Sequence, residues 1–146
     1  MRSFLEFVAA LSSALFAGAA IYINLVEHLA RMDCDTKTGA MVWAPSYQRA
    51  TLMQASLAIL SCLAGVGAWG TGGGILWLVA ALLIGAVVPF TLIAIKPTNH
   101  QLLALDRDLA SSETRALLQK WGRLHAVRSA LSLAASVLYV GLLIGP

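Results

Sequence analysis

"LQKWGRLHAVRSALSLAASVLYVGLLIGP" (residues 118–146) is apolar enough from Leu124 onward to cross a bilayer, yet it opens with Trp121, His125 and Arg128. Steps of four and three put these three side chains on one helix face, which Ser129 and Ser132 extend. Charged and imidazole groups are costly in lipid, so such a face must turn toward other helices or toward a ligand. Outward from this stretch, three more are long enough for a helix of about 20 residues to span the roughly 30 Å hydrocarbon layer. The four predicted spans cover residues 4–26, 51–69, 75–95 and 124–144.

A chain of 146 residues that is 59% hydrophobic and 12% charged is too apolar for a soluble domain. The expected fold is all-α, an integral membrane antiparallel four-helix bundle forming one domain over residues 1–146. The N-terminal run begins like a secretory signal, but it continues through "IYINLV" (21–26), longer than a signal core, and reads as a retained span. Net charge is +3. The basic residues flank apolar segments and form no stripe with interleaved aromatics, so no nucleic-acid partner is expected. Arg31, Lys37, Arg49, Lys96, Arg107, Arg115, Lys120 and Arg123 all fall in the connections after spans 1 and 3. The bias of short loops toward Lys and Arg on the cytoplasmic side then predicts both termini on the non-cytoplasmic side, that of the plasma (inner) membrane if the source is bacterial. Cys34 and Cys62 read as free thiols.

Local punctuation supports the spans. Ser46, after Pro45, is a candidate N-cap for span 2, and Ser111 or Ser112 for a last helix that projects beyond the bilayer before becoming span 4. "WGTGGG" (69–74) predicts a tight turn, Pro89 a bend in span 3 and Pro97 its end. Small residues at Ala10, Ala14 and Gly18, and at Ser61 and Gly65, predict close helix contacts.

Because spans alternate in direction, the end of span 1, the start of span 2, the end of span 3 and the start of span 4 share one membrane face. That face holds Asn24, Glu27, His28, Tyr47, Gln54, Thr98, Asn99, His100, Trp121, His125 and Arg128. At about 1.5 Å per residue, Arg128 lies roughly 24 Å from Ile144, slightly inside the hydrocarbon, a depth suited to an amphiphilic ligand. Glu27 and His28 lie about 100° apart on their helix and should not meet at one small centre. Simpler readings stand beside the functional one. Arg128 could snorkel or pair with Glu27, Trp121 and Tyr47 could be interface anchors, and His100 could be a solvated loop histidine.

The stretches "GAAIYINLVEHLA" (18–30), "SYQRATLMQASLAIL" (46–60), "PFTLIAIKPTNHQLLALD" (89–106) and "LLQKWGRLHAVRSALSLAA" (117–135) resemble the anthrone oxygenase-like family of small four-span membrane proteins. The resemblance covers most of the chain, with one departure: Leu29 stands where a proline often follows the histidine. It marks Glu27, His28, Asn99, Trp121, His125 and Arg128, and implies a four-helix fold. For the fungal polyketide-pathway members it implies oxidation of an anthrone to an anthraquinone by molecular oxygen. Transferred here, that chemistry assigns His125 or His28 as base, with Glu27 orienting it, Arg128 as oxyanion partner, Trp121 as a stacking platform and Asn99 as a donor to the ketone. Asn24, Gln54 and Tyr47 complete the expected substrate contacts. No cofactor is required by this scheme. Two alternatives stay open: a redox centre of iron, copper or haem held by His28, His125 and Glu27, and a non-catalytic protein that binds haem, metal, quinone or lipid or serves as a subunit of a membrane assembly. The expected partners are the lipid bilayer and a small aromatic or lipophilic ligand, and a homo-oligomer is compatible with the sequence.

Overall fold

The computed structural model describes residues 1–145. Four long helices carry most of them: α1 (Arg2–Asp33), α2 (Thr36–Gly73), α3 (Ile75–Leu102) and α4 (Ser112–Ile144). No strand occurs among the described residues. α1 packs against α2 and α4, and α3 packs against the same two, so the helices close a ring. Short reversals between neighbours make it the antiparallel four-helix bundle expected from the sequence.

All four helices are long and apolar enough to cross a membrane. The radial distribution of side chains agrees with lipid as the surrounding solvent. Large apolar groups such as Phe4, Leu25, Leu63, Leu82, Ile93 and Val137 point outward, while Ala9, Ser13, Ala20, Ala58, Ser61, Ala80 and Ala135 are buried. Small residues inside let the helix backbones approach closely, where attraction between large apolar groups would give no advantage over lipid tails. In α1 the inward stripe is not the expected one, since Ala14 and Gly18 are exposed and Ser13 and Ala17 face the core. In α2 the expected Ser61 and Gly65 are both buried. Gly65 faces the fully buried Tyr139, whose hydroxyl donates to the Ser61 carbonyl at 3.4 Å, and a Cβ at 65 would overlap that hydroxyl. Gly65→Ala is expected to destabilise the protein by about 1–3 kcal/mol, as overpacking does. Adding Tyr139→Phe, which removes the clashing oxygen, should recover part of the melting temperature in detergent.

Three boundaries differ from the sequence reading. Ser46 is not an N-cap. α2 starts ten residues earlier, capped by Asp35, which accepts from the Thr38 backbone N–H at 3.0 Å. The Thr38 hydroxyl and then its backbone N–H hold the Asp35 carboxyl below its ordinary pKa. Pro45 is accommodated inside the helix. Nor does Pro97 end span 3: the wide turn Thr91–Ile95, closed by the Lys96 N–H on the Thr91 carbonyl, places Pro97 in the first turn of the next helical segment, where a missing N–H is harmless. The irregularity tied to Pro89 falls at Ala86, next to Gly85, whose carbonyl a proline at 89 cannot serve. The connection at 69–74 does turn as expected, with φ of +93° at Gly72 and +80° at Gly74. Ser111 caps α4, accepting from the Thr114 N–H at 3.1 Å.

Candidate functional site

Two apolar clusters fill the bundle. One contains Phe16, Ala58, Ile84 and Tyr139, the other Ile23, Trp43, Ile95, Leu118 and Trp121. Gln54, His125, Arg128 and Ser129 are buried hydrophilic groups, and the half-buried Asn24 is hydrogen-bonded to two of them. On α4, Trp121, His125, Arg128, Ser129 and Ser132 are all buried, consistent with the single face read from their spacing.

Asn24 sets the chemistry of His125. Its Nδ2 donates to the Gly122 carbonyl at 3.1 Å, which fixes the amide orientation and leaves Oδ1 as the acceptor. Oδ1 lies 2.5 Å from the Ser129 hydroxyl and 2.7 Å from His125 Nδ1. An amide oxygen cannot donate, so neutral His125 carries its proton on Nδ1 and its lone pair on Nε2. The sequence reading assigned the orienting role to Glu27. In the structure it is Asn24, not Glu27, that contacts the His125 ring, because the wide turn Ile23–Glu27, closed by the His28 N–H on the Ile23 carbonyl, brings Asn24 and His28 to α4.

His28 packs into the space over Gly122, where any Cβ would overlap its imidazole. Its ring lies 5.3 Å from that of Trp121, and His125 stacks on Trp121 at 4.8 Å. Trp43 meets the same indole edge-on at 5.8 Å and stacks on Tyr47 at 5.0 Å. Trp121 is thus packed by three side chains, and its N–H has no partner among the described residues. Arg128 donates to Gln54 Oε1 at 2.8 Å and lies over the Phe16 ring at 5.5 Å. Its neutral partner leaves the guanidinium charge uncompensated.

Glu27 makes its contacts elsewhere. Its carboxylate pairs with Arg31, and Ser46 donates to it at 2.5 Å while accepting from Arg31 at 2.9 Å. The alternative pairing of Glu27 with Arg128 is therefore not made. Arg31, only 5% exposed, lies within this network. Rather than a loop charge it is helical, since Leu29 stands where a proline would end the helix and Arg31 lies one turn beyond Glu27. Asn99 is buried in α3 with both amide atoms unpartnered among the described residues, and it is not one of the residues lining the cavity at Arg128. His100 is exposed.

That largely enclosed cavity, about 10 Å³, is lined by Ile23, Arg31, Ser46, Tyr47, Ala50, Thr51, Gln54, Trp121, His125 and Arg128. Among the described residues no three His, Cys, Asp or Glu side chains converge as ligands to a metal. Trp121 packs against both His28 and His125, and Glu27 is engaged by Arg31.

Fold and site together define a small four-span membrane protein with an oriented imidazole and a guanidinium buried in the interior of its bundle. Residues 43–138 match the family described as anthrone oxygenase. Anthrone oxygenase tpcL of Aspergillus fumigatus is 31% identical over 89% of this chain and 87% of its own length. An anthrone oxygenase of Claviceps purpurea is 26% identical over 90% and 84%, and anthrone oxygenase dmxR16 of a Cryptosporiopsis species 28% over 89% and 80%. No solved structure matches significantly. The chain belongs to the anthrone oxygenase family.

Proposed function

We propose that the protein, acting as one four-span unit, oxidises an anthrone-like fused-ring ketone with molecular oxygen at the cytoplasmic end of its bundle. The observation that carries this reading is the Asn24 contact that leaves His125 Nε2 unprotonated. The cytoplasmic placement rests on the Lys and Arg bias of the two longer connections.

An anthrone has an acidic methylene opposite its ketone. His125 Nε2 takes one methylene proton, and the charge moves to the ketone oxygen, where Arg128 stabilises it. The resulting anion passes one electron to dioxygen. Superoxide and the carbon radical join to form a carbon–oxygen bond, and the imidazolium returns its proton to give a hydroperoxide. Loss of the second methylene proton as the oxygen–oxygen bond breaks forms the new carbonyl and releases water. One dioxygen is consumed, one oxygen atom stays in the quinone and one leaves as water.

Oxygen uptake by the purified full chain with anthrone tests this. One anthraquinone should form per dioxygen consumed. Arg128→Ala should lower kcat by about 10²–10³-fold, as loss of one oxyanion donor does. Uptake no faster than in protein-free detergent, or unchanged in Arg128→Ala, would overturn the assignment.

A further inference from the structure

Five buried nitrogen atoms on residues lining the Arg128 cavity have no hydrogen-bond partner among the described residues: Arg31 Nε and Nη1, Gln54 Nε2, Trp121 Nε1 and Arg128 Nε. All are donors. Their four residues are at most 7% exposed. No carboxylate lines the cavity. Glu27 balances Arg31, and Arg128 has only the neutral Gln54 carbonyl, so the cavity carries one uncompensated positive charge and an excess of donors. Buried donors and charges left this way are costly, and an anionic acceptor removes both costs together.

The cavity alone has room for one small polar group. It shares Ile23, Ser46 and Ala50 with a mainly apolar groove of about 750 Å³ between α1 and α2, to which Tyr22, Met41, Val42 and Met53 also contribute and whose lining includes the charged Glu27 and Arg49. A groove of that size suits a fused three-ring system. The Arg31–Glu27–Ser46 network lies where the two meet, since Glu27 lines the groove, Arg31 the cavity and Ser46 both.

We propose that the cavity takes the oxygen end of a fused-ring monoanion between Arg31 and Arg128, with the rings in the α1/α2 groove, so that Arg31 is a second anion-binding residue. This rests on the proposed function only in identifying the monoanion as deprotonated substrate. It makes a prediction of unusual sign for Glu27. Because the carboxylate neutralises Arg31, removing its charge should strengthen anion binding, whereas a merely structural role for the pair predicts weakening.

The probe is 9-anthracenecarboxylate, which takes up tryptophan emission, compared with neutral 9-anthracenemethanol, each titrated into the full chain in detergent micelles. The carboxylate should bind about tenfold more tightly than the alcohol, as expected for a charge-assisted contact. Glu27→Gln should widen that preference. Arg31→Gln should narrow it, Arg31→Lys should retain most of it, and Glu27→Gln/Arg31→Gln, which leaves no unpaired charge behind, should narrow it in a folded protein. Equal affinity for the two probes, a preference unchanged in the double variant, or weakened anion binding in Glu27→Gln would overturn the proposal. The readout is binding, so an anion preference without anthrone-dependent oxygen uptake would sink the proposed function alone. Turnover without an anion preference would sink only this inference.

Discussion

Replacing His125 with Gln is expected to reduce kcat for anthrone-dependent oxygen uptake by about 10²–10⁴-fold, the range supplied by a positioned general base. The substitution keeps a polar side chain of similar reach but removes the lone pair that takes the methylene proton. The pH dependence should change with it. In the unsubstituted protein kcat should rise with pH as imidazolium becomes imidazole and then level off, because only the neutral ring accepts a proton; in His125→Gln that rise should be absent. Asn24→Leu provides the second arm. It leaves His125 in place but removes the acceptor, 2.7 Å from Nδ1, that selects the reactive tautomer. It should lower kcat less than loss of the ring does, with the pH-dependent rise still present. Full activity in His125→Gln would exclude it as the base and move attention to His28, whose Nδ1 has no partner among the described residues.

A loss of both stability and activity is expected from Gly122→Ala. A Cβ there overlaps the imidazole of His28, which is 6% exposed and held against Trp121, so the ring must leave Trp121 for the open groove it lines with Leu29, Met32 and Arg123, or the helices must move. To the extent that the ring stays against Trp121, α1 and α4 separate. Separation breaks the bond from Asn24 to the Gly122 carbonyl, and with it the contact that orients His125. About 1–3 kcal/mol of stability should be lost, the usual consequence of forcing a methyl group into a packed interior. Activity should fall in the same variant even under conditions where it remains folded. Thermal unfolding in detergent checks the first effect and oxygen uptake the second. A Gly122→Ala/His28→Ala pair separates steric from chemical causes, because it should regain melting temperature. An unchanged melting temperature in the single variant would show that the α1–α4 contact is looser than its geometry indicates.

The sequence exposed some parts of the site and hid others. The face shared by Trp121, His125, Arg128, Ser129 and Ser132 was legible because it lies on one uninterrupted helix, where spacing fixes phase. Convergence with Asn24, Gln54 and Tyr47 followed from alternating spans. Pairing across helices was not legible. Glu27 was assigned to a histidine and instead holds Arg31 and Ser46, because the turn at Ile23–Glu27 is wider than an ordinary helical one and the helix continues to Asp33. The exposed positions of Ala14 and Gly18 have a similar origin: a four-residue repeat of small residues identifies a stripe, but neighbouring stripes of Ala and Ser compete for the same contact.

By itself the sequence determined the number of long helices and the shared face of the polar residues on the last one, because these depend on hydrophobic length and helical period along a local stretch of chain. Tertiary structure alone decided that Gly122 admits His28, that Asn24 fixes the His125 tautomer, that Gln54 meets Arg128 and that Arg31 lies at the same cavity. These are contacts between residues from 74 to about 100 positions apart. Their geometry depends on helix rotation and separation to within a side chain's width, and local periodicity carries no information about either.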